Sequence, residues 1–298
     1  MVKELIIWRG SQYSTKVIAA LHGKGLKPEA DYRLRSAPNG LEERKKLLPA
    51  PYTVPVLRWD DEIISGSDNI CRFLDKQLPS APPLYPAASD GEVRRLEEAA
   101  AALYWTNGWL STIDPAGFEN FAKQRLLNAV AKGDGGKFAK FAHSILPQKT
   151  FGRVMHAAIV KDFRSFLKRR GEETGSEAPA RLADERDSAK VLEEARTLLR
   201  VLDDALVASP TPYCCGSATP TAADLTLYGM LERWLGDSLM PGHNGASTPT
   251  IADGMAGVTA AWEAMRKTFR PDIDLHDLKD YKDLEEPITG PTTFPPSE

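Results

Sequence analysis

The residues of this chain best placed for chemistry are two serines near the amino terminus and a polar stretch about fifty residues later. Ser11, Gln12, Tyr13 and Ser14 stand between the apolar run Lys3–Trp8 and the set Val17, Ile18 and Leu21. The first pattern is a strand and the second a helix, so these four residues form a strand-to-helix turn. A serine in such a turn caps the helix by accepting from its orphan N–H groups. Its other use is chemical, because a hydroxyl at the positive end of a helix can donate to an anion such as a thiolate. Ser11 and Ser14 are the candidates for that role. Ser67 opens a second helical set at Ile70, Phe73 and Leu74, and it can cap the helix or leave the N–H groups free for an anion. Upstream, Pro55 begins the strand-like run Val56, Leu57 and Trp59. Local sequence reads it as a trans, strand-initiating proline. A cis bond would instead turn the N–H and C=O of Val54 outward to pair with an extended peptide.

Other chemistries find little support. The five histidines (His22, His143, His156, His243 and His276) have no consistent Asp or Ser partner, so metal and triad chemistry are not expected. Cys71, Cys214 and Cys215 are an odd, sparse set without zinc-site spacing, which points to a reducing cytosol and a cytoplasmic protein. No phosphate-binding loop or dinucleotide fingerprint is found. The 298 residues are 42% hydrophobic and 27% charged, with a net charge of -3. That is a globular composition with no nucleic-acid or membrane surface, and no apolar run reaches spanning length.

The elements that position these residues follow in order. After the first strand and helix, Gly23 and Gly25 mark a stop, Asp31–Leu34 reads as a strand and Leu41–Leu48 as a short charged helix. Val56–Trp59 and Ile63–Ile64 flank an Asp60-Asp61 turn, and the helix from Ser67 closes the set. The order βαβαββα is that of a thioredoxin-like domain over residues 1–78.

With SQYS at the first helix, VP before a strand and SD opening the third helix, this segment resembles the amino-terminal domain of the glutathione S-transferase superfamily, with zeta- and omega-like motifs. The resemblance implies a cis Pro55, with Val54 pairing its backbone to the cysteine portion of glutathione and Tyr13 beside the same ligand. It implies that Ser67 and Asp68 hold the γ-glutamyl carboxylate and that Ser11 activates the sulfur, making a serine-type enzyme. Cysteine-type chemistry is disfavoured because Ser11 stands where omega-like members carry cysteine, and the tyrosine type is disfavoured because Trp8 stands near where its members keep their tyrosine. Gly66 replaces the acidic or amide residue that precedes the serine, and APYTVP replaces the usual loop before the proline. Both departures bear on glutathione affinity. A glutathione transferase acting on a small hydrophobic electrophile in detoxification is implied, as a homodimer and without a metal. A non-enzymatic binding or assembly module, and a glutathione-dependent isomerase, dehalogenase or ether-cleaving enzyme, are the alternatives.

The second half reads as all-helical. Leu78–Pro86 carries four prolines and serves as a stiff linker over residues 79–89. A helical domain over 90–270 follows, then an extended or disordered tail over 271–298. Tyr104, Trp105 and Trp109 sit on the helix Glu92–Leu110. Ordinary core packing is the simpler account of them, and the functional one is a wall of an apolar substrate pocket facing the first domain. Glu172–Ala180 reads as a mobile loop. The stretch Leu110–Gln124 loosely resembles the bacterial β-aryl-ether-cleaving branch. Val191–Leu206 and Pro249–Phe269 read as helices, and between them Thr221 and Asp224 form a capping box at the start of another.

Overall fold

The computed structural model describes residues 3–8, 11–38, 41–113, 156–157, 160–161, 163–169, 171–172, 177–234, 252, 254–269, 283–288 and 292. Four strands, β1 (Lys3–Ile7), β2 (Arg33–Ser36), β3 (Val56–Trp59) and β4 (Glu62–Ser65), form one sheet in the order β2-β1-β3-β4. β1 runs parallel to β2, and β1/β3 and β3/β4 are antiparallel. Leu5, Ile6 and Ile7 are all within 1% of full burial, as an unbroken apolar central strand requires. Asp60 takes the left-handed conformation (φ 56°) in the two-residue turn between Trp59 and Glu62, a geometry that Asp tolerates.

Helices α1 (Gln12–Gly23), α2 (Leu41–Leu47) and α3 (Ser67–Gln77) complete a thioredoxin-like βαβαββα arrangement. α1 stops where Gly25 adopts φ +80° and the Lys24 N–H turns back to the Ala20 carbonyl at 3.0 Å. β2 lies two residues later than the sequence pattern suggests, because Leu34 and Ser36 are its buried positions and Arg33 is exposed. The bonds Ala50–Pro51 and Val54–Pro55 are both cis, so the local reading of a trans Pro55 is overturned and the one implied by family resemblance stands.

The remaining elements are helical: α4 (Asp90–Ile113), α5 (Glu177–Asp184), α6 (Ser188–Val207), a 3-10 turn at Cys214–Gly216, α7 (Ala222–Trp234) and α8 (Ala256–Phe269). The described residues between 156 and 172 are helical as well. α5 occupies part of the stretch expected to be a mobile loop. Pro179 sits in its first turn, where a missing N–H costs nothing. α8 begins at Ala256, and its Val258 N–H is accepted by the Asp203 carboxylate of α6 at 2.9 Å. The glycine-rich stretch 131–137, residues 114–124 of the ether-cleaving resemblance, and His143, His243 and His276 lie outside the described residues.

The chain divides into two compact units. One contains Met1–Ala100, Val201–Arg233 and Met255–Glu298, and the other Ala101–Arg200 and Trp234–Gly254. In the first, the proline-rich stretch is pinned rather than loose. Asp75 accepts from the Leu84 and Tyr85 N–H groups at 2.9 Å each, and Lys24 donates to the Pro82 carbonyl at 2.6 Å. Part of the expected extended tail is also ordered there, since Asp283 bridges to Ser36 and Leu284 and Ile288 are buried. In the second unit, Trp109, Leu167, Leu182, Ala183 and Val191 make the core. No helix among the described residues is long and apolar enough to cross a membrane.

Candidate active site at two helix starts

Ser11 is the N-cap of α1, with φ -79° and ψ 119°, and its Oγ accepts from the Ser14 N–H at 3.3 Å. The same side chain therefore does what capping asks and keeps its own O–H for another acceptor, since a hydroxyl has one donor and two acceptor sites. Ser14 is deeper, at 2% exposure against 8% for Ser11, and its Oγ accepts from the Trp8 N–H at 3.4 Å. Tyr13, between them, is half-buried.

The start of α3 is built differently. Its N-cap is Gly66, not Ser67, at φ +92° and ψ 137°, and no side chain caps the first turn. Ser67 is thus the first helical residue, and its hydroxyl donates to the Asp68 carboxylate at 3.1 Å. A helix start without a side-chain cap presents backbone donors and the positive end of the helix dipole to an incoming anion. The left-handed backbone at this N-cap suits glycine, and the Asn69 amide, 3.7 Å from where a Cβ would stand, leaves room for one. Val54, half-buried beside buried Pro55, lies just outside the β3 ladder.

An ion pair between the buried Lys16 and the exposed Asp68 links the two helix starts. The Lys16 ammonium, on α1 and 1% exposed, meets the Asp68 carboxylate at 2.5 Å and also bonds the Glu97 carboxylate on α4. Glu97 in turn accepts from the Tyr85 hydroxyl at 3.0 Å. Burial opposes the Lys16 charge, but Glu97 and then Asp68 outweigh it and raise its pKa above the ordinary lysine value. One ammonium serves two carboxylates in unequal settings. Burial pushes Glu97 above the usual carboxyl range, whereas at Asp68 the attraction of Lys16 overcomes burial and holds the group below it. Sequence patterns leave this network without a role. The available signal was a lysine on the face that α1 buries with Val17, Ala20 and Leu21, where an ammonium needs carboxylate partners.

None of the three cysteines is set up as a nucleophile. Burial pushes the Cys71 thiol up to about 12 despite nearby Lys16, and burial likewise raises Cys214 and Cys215. Among the described residues no group of His, Cys, Asp and Glu could hold a metal ion.

The three aromatic candidates divide. Trp109 is 1% exposed, stacks on Phe163 at 6.1 Å and donates its indole N–H to the Glu185 carbonyl at 2.7 Å, so it is part of the second unit's core. Tyr104 and Trp105 are half-buried and meet edge to face at 4.5 Å.

A thioredoxin-like sheet with an open third helix start, followed among the described residues by a mainly helical part, defines a class, and the sequence agrees with it. Residues 5–82 match the family described as glutathione S-transferase, N-terminal domain, and residues 179–271 match the glutathione S-transferase, C-terminal domain. The chain belongs to the glutathione S-transferase superfamily. It is similar to glutathione S-transferase U13 of Arabidopsis thaliana, 35% identical over 108 residues that make up 35% of this chain and 42% of that relative. The chain therefore matches less than half the length of this curated relative. Two solved structures share the fold at low identity. Glutathione transferase F7 of Populus trichocarpa is 13% identical with a TM-score of 0.53, over 92% of this chain and 99% of its own. A glutathione S-transferase of Methylobacillus flagellatus, solved with glutathione bound, is 16% identical with a TM-score of 0.51, over 91% and 98%.

Proposed function

We propose that the protein is a glutathione transferase in which the Ser11 hydroxyl activates the thiol of glutathione for attack on a small hydrophobic electrophile. One observation carries the reading. The helix that begins at Ser11 and the helix that begins, uncapped, at Ser67 are tied together by the Lys16–Asp68 ion pair. A hydroxyl for the sulfur and an anion site for the γ-glutamyl carboxylate are thereby fixed on one scaffold. Val54 supplies the strand-like backbone that holds the cysteine portion, with Pro55 behind it and Tyr13 beside it.

The chemistry follows from the thiol. A free thiol of pKa ~8.5 is mostly protonated at neutral pH, and the thiolate is the nucleophile. A hydrogen bond from Ser11 to sulfur, with the positive start of α1 behind it, favours the charged form and lowers that pKa. The sulfur then forms a bond to the electrophilic carbon while the leaving group departs with the electron pair, helped by proximity. Ser11 is favoured over Ser14 by its greater exposure, 8% against 2%. The acceptor substrate is assigned to the aromatic group of Tyr104 and Trp105, with Trp109 as their packed support. A homodimer and a cytoplasmic setting belong to the same reading, and sedimentation of the purified protein checks the first.

Ser11→Ala is expected to lower kcat by roughly a hundredfold, the scale of losing one donor to a developing anion, while retention on immobilised glutathione persists. A variant that keeps the full rate sinks the hydroxyl assignment, and Ser14 then becomes the candidate. Gly66 favours one other reading, a non-enzymatic binding module, because it removes a ligand-contacting side chain beside the anion site. Retention on glutathione without thiol consumption across a panel of electrophiles would select that module.

A further inference from the structure

We propose that Leu284 and Ile288, far along the carboxy-terminal tail, are positioning residues for the wall that carries Val54. The proposal rests on the glutathione-binding reading above. β2 is an outer strand of the sheet, and its Ser36 carbonyl accepts from the Leu284 N–H at 3.0 Å while Asp283 pairs with Ser36 in parallel register. Four residues on, the Ile288 N–H donates to the carbonyl of Leu47 at 2.9 Å. Leu47 ends α2, where helix carbonyls lack an intrahelical donor. One short segment thus covers a sheet edge and caps a helix.

Its side chains do the rest. Leu284 and Ile288, at 9% and 5% exposure, share an apolar cluster with Ile6, Ala37, Leu48 and Val56, and Leu47 and Val54 pack against it. Between them the tail presents only exposed residues, including Glu285 and Glu286, so the two apolar positions are its anchors. The stretch from Leu48 to Pro55 contains no strand or helix and includes Tyr52 at φ 65°. A segment of that kind takes its order from what it packs on, and the tail supplies one of those surfaces. With the tail released, a thiol peptide must order this wall as it binds, which costs affinity but leaves Ser11 on α1 untouched.

The test is the full-length double variant Leu284→Ser/Ile288→Ser. Its KM for glutathione, and its calorimetric Kd, should rise about tenfold with kcat within about twofold of the parent, as lost preorganisation acts on binding alone. Amide exchange should speed up over residues 36–57 and stay unchanged in α7 and α8. Unchanged affinity and exchange would overturn the proposal. So would faster exchange in α7 and α8 with a matching loss of kcat, which marks general destabilisation. If the double variant does not fold, Ile288→Ala is read by the same criteria. A parent protein that binds no glutathione overturns the functional reading instead, and exchange over residues 36–57 then decides by itself whether the tail holds the wall.

Discussion

Two helices of the first unit begin in opposite ways. At α7, Asp224 is wholly buried and satisfies everything near it. Its carboxylate accepts from the Thr221 N–H at 2.7 Å, the Thr221 hydroxyl at 2.7 Å and the Cys214 N–H at 2.8 Å. At α3 no side chain caps the first turn, and the carboxylate of Asp68 is turned to Lys16 and the Ser67 hydroxyl. Both starts carry a hydroxyl residue and, nearby, an aspartate, and on composition they look interchangeable. The difference lies in where the carboxylate goes. Spent on backbone donors it makes a structural joint, and spent on a lysine it leaves those donors for a ligand.

The largest effect is expected from breaking the closed start. Asp224→Ala removes one acceptor and strands two buried backbone N–H groups and a hydroxyl, at a cost of about 3–5 kcal/mol. Thr221→Ala removes the hydroxyl that donates to Asp224, one hydrogen bond worth about 1 kcal/mol. Urea unfolding measures both, and neither change should alter the glutathione affinity of the protein that remains folded. A selective loss of affinity in Thr221→Ala would mean that the α7 start is not purely structural.

The same contrast shows what the sequence could and could not convey. The βαβαββα order was legible because each element carries its own period and its own stop, as Gly25 and the Asp60-Asp61 turn do. The box at Thr221 and Asp224 was legible because its partners lie three residues apart, although the Thr221 hydroxyl donates to Asp224 instead of accepting from the backbone. α5 was hidden by Pro179, which reads as a breaker anywhere but in a first turn. The anchored tail was hidden because Leu284 and Ile288 are isolated among acids and prolines, and their partners Ser36 and Leu47 lie more than two hundred residues back. For the proposed site, Ser11, Pro55 and Ser67 could be named as candidates, but the lysine whose ion pair ties α1 to α3 could not. Its carboxylates are 52 and 81 residues away, and no local pattern encodes such a pairing.

A middle-sized effect comes from altering the open start itself. Gly66→Gln places an L side chain at φ +92°, a backbone region that costs of order 1–3 kcal/mol for residues other than glycine. It also brings an amide back beside the proposed anion site, where the resemblance expects one. Stability in urea should therefore fall while glutathione affinity per folded molecule rises. If both fall together, Gly66 serves the open geometry and the missing amide was not a lost contact.

The smallest effect at neutral pH, and the most informative in shape, belongs to Glu97→Gln. Lys16 keeps Asp68 as its partner after this change, so no ammonium is stranded, and net stability at pH 7 should move by well under the ~3–5 kcal/mol of leaving a buried charge unpaired. The pH dependence should change instead. Glu97 binds its proton more tightly folded than unfolded, so its contribution weakens as pH rises above 4.5 through the raised native value. Asp68 has the opposite sign, and its contribution, present above 3.8, is lost as pH falls toward the lowered native value. Lys16, raised like Glu97, gives a contribution that is complete below 10.5 and lost only in more alkaline solution. Glu97→Gln should thus flatten the stability profile on the alkaline side of 4.5 and leave the acid limb from Asp68 in place. If the acid limb disappears as well, the two carboxylates titrate as one unit, and the ammonium linking the helix starts is held by both together.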